Sequence, residues 1–192
     1  DVELVDGTVV IGAIHLRDVL IAHGWDLEPR DDRPVPCTGA EPAAAQPGDL
    51  AEVVGQDDAV SALVVAAAGG HHVMMSGPPG AGKTMLARRL PGILPELDEQ
   101  AAVQAASIRS LAGVRIGALS RIPPFEAPHH TSSAAALVGG GSRTARPGAI
   151  VRASGGVLFL DEAGEFSAHA LDCLRQPLGS GEMTIDRAGF RV

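Results

Sequence analysis

Apolar positions along this chain switch repeatedly between helical spacing and short unbroken runs, the pattern of strands and helices that succeed one another. Between Gln56 and Ala68, Val60, Leu63, Val64 and Ala67 recur every three or four residues and predict a helix, which Gly69-Gly70 ends. His72-Val73-Met74-Met75-Ser76 then reads as a short buried strand, and Met85 to Leu90 as the next helix, broken by Pro91 and Pro95. Another helix is expected over about 98–108, and Ser167 is placed to cap one carrying Leu171, Leu174 and Leu178 on one face. Val157-Leu158-Phe159-Leu160 is apolar without interruption, as in a strand covered on both faces of a parallel sheet. Strands alternating with helices predict an α/β fold, a parallel sheet flanked by helices.

The remaining stretches set the organisation. Thr8 to Ile11 reads as a strand and Leu16 to His23 as a short helix ended at Gly24. Pro29, Pro34, Pro36, Pro42 and Pro47 then deny any long helix or central strand, so residues 26–49 read as a Pro- and Ala-rich linker. Residues 1–25 are accordingly expected to be the tail of a preceding domain, and 50–192 the core. Within the Gly-rich stretch 134–156, Leu137 to Gly141 and Gly148 to Ala153 predict the arms of a hairpin around Arg143 to Pro147. Residues 182–192 alternate as a strand or hairpin, and no internal repeat is visible.

Composition narrows the classes. With 45% hydrophobic and 20% charged residues the balance is that of a soluble globular domain. The most apolar stretch, Ala59 to Gly70, is too short to span a bilayer and no charged-then-apolar leader opens the chain, so a cytoplasmic protein without membrane contact is expected. Cys37 and Cys173 lie far apart with no C-x-x-C pair, and the pairs His71-His72 and His129-His130 lack a third ligand at a metal-binding spacing. The net charge of −8 is unevenly spread. Residues 1–60 hold thirteen Asp or Glu against three arginines, whereas 101–160 hold Arg109, Arg115, Arg121, Arg143, Arg146 and Arg152 against Glu126 alone. A locally cationic segment on an acidic protein can meet a polyanion at chosen loops. Ordinary solvated arginines are the alternative.

The chemistry is concentrated in two places. Gly77-Pro78-Pro79-Gly80-Ala81-Gly82-Lys83-Thr84 matches G-x-x-x-x-G-K-[ST], and Lys83 is the chain's only lysine. Glycines let the backbone wrap an anion with its N–H groups turned inward, Lys83 can neutralise the β and γ phosphates, and the Thr84 hydroxyl can ligate Mg²⁺. The second place is Asp161-Glu162, at the carboxyl end of the apolar run, where open α/β sheets bind ligands. Asp161 would hold Mg²⁺ and Glu162 would orient and deprotonate the attacking water.

Together these segments resemble the magnesium-chelatase-like branch of AAA+ ATPases, most closely the ComM (YifB) family. The resemblance runs from Leu50-Ala51-Glu52-Val53-Val54-Gly55-Gln56 through the phosphate loop and Leu90-Pro91-Gly92-Ile93-Leu94-Pro95. It continues through Pro128-His129-His130-Thr131 and Leu137-Val138-Gly139-Gly140-Gly141 to Gly156-Val157-Leu158-Phe159-Leu160-Asp161-Glu162. It implies a P-loop NTPase with an AAA+ core, ATP and Mg²⁺ as cofactors, and self-association into a hexameric ring. It places Val53 and Val54 near the adenine, and Met85 beside the nucleotide next to the loop. It also implies a β-hairpin inserted before Asp161 that projects toward a central pore, with Arg143, Arg146 and Arg152 as contacts to DNA phosphates, and a role in branch migration or unwinding during recombination of incoming DNA.

A protein-remodelling or metal-chelatase motor subunit is the alternative, and an assembly module that only binds nucleotide is a third. Glu162 argues against the last, because binding alone needs no base. Relatives read Asp-Glu-Leu-Pro-Glu-Phe where this chain has Asp161-Glu162-Ala163-Gly164-Glu165-Phe166, a change expected to loosen the turn. The family's polar sensor, arginine finger and helical lid would follow Val192, so this polypeptide alone is expected to bind nucleotide weakly and hydrolyse it poorly.

Overall fold

Two parallel strands fix the geometry of the site. In the computed structural model, which describes residues 16–27, 46–140, 146–180, 186–187 and 190–191, strand β1 (Phe125–Glu126) pairs in parallel with β4 (Val157–Leu158). The register sets Phe125 against Val157 and Glu126 against Leu158. Val157 N–H donates to Pro124 O and Phe159 N–H to Glu126 O, each at 2.8 Å, and the rings of Phe125 and Phe159 stack 6.0 Å apart. The close approach depends on Gly156, where a Cβ would run into the Pro124 carbonyl and ring. Sequence patterning gave β1 no element, because its two residues are followed by Pro128 and carry no periodicity.

Eight helices are described. They are α1 (Leu16–Ala22), α2 (Asp57–Gly69), α3 (Lys83–Arg89), α4 (Glu99–Leu111), α5 (Ala134–Val138), α6 (Ala149–Arg152), α7 (Ala168–Asp172) and α8 (Arg175–Ser180). Local chemistry explains their ends. Asp98, Ser133 and Ser167 cap α4, α5 and α7 by accepting backbone N–H bonds from Ala101, Ala136 and Ala170, and Gly70 ends α2 in a left-handed conformation. Two clusters of buried side chains hold the elements. One joins Leu50, Leu63 and Leu86, with Val53, Met75 and Met85 packed on it, and so locks α2 to α3. The other joins Leu137, Ala149, Phe166 and Ala170 beneath Leu158 and Leu160, and so seats α5, α6 and α7 on β4.

Three expected elements differ. His72 to Ser76 has no ladder partner among the described residues, and Met74 is 92% exposed, so it is an extended segment and not a buried strand. Among the described residues the glycine-rich stretch pairs only through β2 (Gly139–Gly140) and β3 (Arg146–Pro147), antiparallel, with Gly139 opposite Pro147 and Gly140 opposite Arg146. Leu137 and Val138 belong instead to α5 and residues 149–152 to α6, because Leu137 and Ala149 are drawn into the core, where helical turns present them. Leu178, expected on the apolar face with Leu171 and Leu174, is 56% exposed on α8. Strands β5 (Asp186–Arg187) and β6 (Phe190–Arg191) form a separate antiparallel pair. The strand expected at Thr8 to Ile11, most of the linker, and Arg143 lie outside the described residues.

Candidate functional site

The phosphate loop is a turn closed on itself. Ala81 N–H donates to Pro78 O at 3.2 Å, and Gly80 and Gly82 both adopt φ +79°, a conformation that a side chain would strain. Gly82 leads directly into α3, which buries Leu86 and Ala87 and thereby fixes Lys83 and Thr84 on its first turn. The Lys83 ammonium folds over the loop and donates to Gly77 O at 2.8 Å and Pro78 O at 3.0 Å. Gln56, just before α2, reaches the same loop and donates from Nε2 to Ala81 O at 3.3 Å. Gln56 therefore joins the site. Its neighbour Val53 packs on the α2–α3 cluster beside Met85, whereas Val54 is 90% exposed.

The two halves of the site meet at one hydrogen bond. Thr84 Oγ1 donates to Asp161 Oδ2 at 3.0 Å across 77 residues of sequence. A hydroxyl and a carboxylate oxygen brought together beside a lysine and a glycine-bounded loop are the hard-oxygen donor set that suits Mg²⁺ carried by phosphates. The residues present thus fit a nucleotide's phosphates and the metal they carry. Glu162 follows in the left-handed region (φ 51°, ψ 50°), the one non-glycine residue with positive φ among those described. Its N–H donates to Asp161 Oδ1 at 3.1 Å, and its carbonyl accepts from Glu165 N at 2.8 Å, closing the turn Ala163–Glu165. The Ala-Gly replacement in this turn does not open it.

One further side chain reaches Glu162. His130 Nδ1 lies 3.4 Å from Glu162 Oε2, and the His129 ring sits 4.1 Å from the His130 ring. The sequence set the histidine pair aside as metal ligands and gave it no partner, since the contact arises between segments far apart in the chain. The arginines divide. Arg146 is exposed on β3. Arg152 Nη2 binds Glu126 Oε2 at 2.9 Å and its Nη1 donates to Pro147 O at 3.0 Å, so its guanidinium ties the base of the β2–β3 ladder to β1. A separate cavity of about 460 Å³ opens behind α3, lined in part by Arg88, Arg89 and Arg109, and shares no residue with the phosphate loop. No helix among the described residues is long and apolar enough to cross a membrane.

Comparison with known proteins agrees with this arrangement. Residues 49–192 match the family described as magnesium chelatase, subunit ChlI. An uncharacterized protein of Mycobacterium tuberculosis is 55% identical over 152 residues, covering 78% of this chain and 30% of that protein. Competence protein ComM of Haemophilus influenzae is 50% identical over 145 residues, covering 75% and 28%. YifB of Escherichia coli is 41% identical over 195 residues, covering 100% and 37%. The chain therefore spans about a third of the length of these relatives. A chain from the complex between subunits BchI and BchD of magnesium chelatase shares the fold with a TM-score of 0.59 and 25% identity, over 77% of this chain and 51% of that one.

Proposed function

Because the chain belongs to the magnesium chelatase, subunit ChlI family, we propose that it is the ATP-binding core of an AAA+ motor that hydrolyses ATP and acts on DNA. The observation that carries the nucleotide part is the bond from Thr84 Oγ1 to Asp161 Oδ2. The glycine-bounded loop would hold the phosphates through its backbone N–H groups, and Lys83, released from Gly77 O and Pro78 O, would meet their charge. Thr84 and Asp161 would hold Mg²⁺, which supplies charge neutralisation to the transferred phosphoryl when bound. Glu162 then orients a water and accepts its proton. Val53, Val54 and Met85 are assigned to the nucleotide's base side, with residues 50–192 as the ATPase core, 26–49 as a linker and 1–25 as the tail of another domain.

The DNA part rests on the cationic middle segment and on the likeness to a competence protein. Arg143 and Arg146 are the phosphate contacts in this reading, carried on an inserted hairpin whose base is the β2–β3 ladder, with ring assembly bringing several hairpins together. The likeness to the magnesium chelatase complex favours a second reading, a chelatase-type subunit that moves a partner protein. Steady-state ATP hydrolysis by the full-length protein, with Lys83→Ala as the blank, separates them. Several-fold stimulation by single-stranded or branched DNA, falling with salt and lost when Arg143 and Arg146 become Ala, supports the DNA motor. Lys83-dependent hydrolysis that ignores DNA transfers the reading to a protein partner, and hydrolysis that survives Lys83→Ala overturns both.

A further inference from the structure

We infer that Arg89 is the positioning residue of segment 49–56, a role that rests on the assignment of Val53 and Val54 to the base side of the nucleotide. Arg89 ends α3, the helix whose first turn carries Lys83 and Thr84. All three nitrogens of its guanidinium are engaged. Nε donates to Asp49 O at 2.9 Å, Nη2 to Glu52 Oε2 at 3.0 Å, and Nη1 to Met85 O at 3.3 Å, one turn back on α3. The bond to Met85 aims the planar fork, and the other two grip a segment 37 to 40 residues away in sequence. Contact is tight from the other side as well, since a Cβ on Gly48 would lie 3.2 Å from the guanidinium carbon.

The gripped residues form the turn that sets the course of Val53 and Val54. Asp49 O accepts from Glu52 N–H as well as from Arg89, and the Asp49 side chain accepts from Ala51 N–H at 2.9 Å, so the turn Leu50–Glu52 is held at Asp49 by three bonds. Val53 N–H then closes on Leu50 O at 3.1 Å, Val54 follows, and Gln56 reaches Ala81 O beyond them. Leu50 is buried against Leu63 and Leu86, but one apolar anchor leaves a turn free to pivot about it, and the guanidinium removes that freedom. The Glu52 carboxylate, 63% exposed, adds little, so the Asp49 carbonyl is the partner that matters. The phosphate loop is held independently, by Ala81 N–H on Pro78 O and by the burial of Leu86 and Ala87 on α3. Loss of Arg89 is therefore expected to weaken the grip on the nucleoside and spare the grip on the phosphates.

The test uses the full-length protein and two probes, each with Mg²⁺: adenylyl imidodiphosphate, an ATP analogue that resists hydrolysis, and inorganic tripolyphosphate, which offers the phosphate chain without a nucleoside. Titration calorimetry gives a dissociation constant for each. Arg89→Ala is expected to weaken the analogue about fivefold, the size of one net hydrogen bond, while tripolyphosphate stays within about twofold. Gly48→Val crowds the guanidinium from the opposite side, leaves α3 untouched and should reproduce the selective loss, so the inference remains testable if Arg89→Ala fails to fold. Equal weakening of both probes in Arg89→Ala overturns the inference, because it marks general damage to α3. Unchanged affinity for the analogue overturns it too, as does a Gly48→Val protein that matches wild type. Should the wild-type protein bind tripolyphosphate as tightly as the analogue, the base-side assignment of Val53 and Val54 fails instead, and the role of Arg89 with it.

Discussion

Truncating Leu137 to alanine tests the packing that seats the glycine-rich segment on β4. Leu137 is 0% exposed and lies at the junction of α5, α6 and α7, against Ala149, Phe166 and Ala170 and under Leu158 and Leu160. Removing three carbons forfeits about 2.4 kcal/mol of transfer free energy at about 0.8 kcal/mol per methylene. A cavity term adds to this, and two of the walls are alanines with no side chain long enough to fill the gap. The backbone cannot slide inward either, since Ser133 caps α5 and Gly139 pairs with Pro147 just beyond it. A loss of about 3–4 kcal/mol is expected, within the usual range for a buried Leu→Ala, which is a fall of roughly 10 °C in Tm for a chain of this size. Urea unfolding of the 192-residue chain followed by circular dichroism measures it, with the slope m expected to stay constant. Leu111→Ala is the control: at 71% exposure on the last turn of α4 it should change stability by less than about 0.5 kcal/mol. A cost below about 1 kcal/mol at Leu137 would refute the reasoning, since α5 would then not be packed against β4.

Two further substitutions probe neighbouring features. Arg152→Met keeps bulk but leaves Glu126 unpartnered at a site where both side chains are about three-quarters covered, so it should destabilise the chain by about 1–2 kcal/mol after discounting for that exposure. It should also leave the salt dependence of any DNA stimulation unchanged, whereas a phosphate contact would reduce the log–log slope by about one. Gly164→Ala should raise stability by about 0.4–1 kcal/mol, because Gly164 has no positive φ and a Cβ there meets nothing within 4 Å. A thermal melt showing Gly164→Ala below wild type would mean that the turn after Glu162 requires glycine.

The geometry of the glycine-rich loop was legible from eight consecutive residues because it is local: two left-handed glycines and a turn closed by Ala81 N–H on Pro78 O need no long-range help. Asp161-Glu162 was legible for a related reason, an apolar run ending abruptly in carboxylates. The helices over 57–69 and 99–111 were also readable, since side-chain period and capping chemistry are properties of neighbouring residues. Pairing between distant segments was not. The two-residue strand at Phe125–Glu126 has no period to detect, yet it pairs with Val157–Leu158, and beyond the pair His130 Nδ1 comes within 3.4 Å of Glu162 Oε2. Arg152 shows the same limit from the other side. Charge along the chain suggested a free cation, and only the approach of α6 to β1 gave it Glu126 as a partner. Leu137 and Ala149 had the composition of hairpin arms and became helical turns because the core beneath Leu158 and Leu160 took their side chains. Local backbone chemistry and periodicity are written in sequence order, whereas hydrogen bonds and ion pairs across 26 to 77 residues arise only once burial has chosen which segments lie side by side.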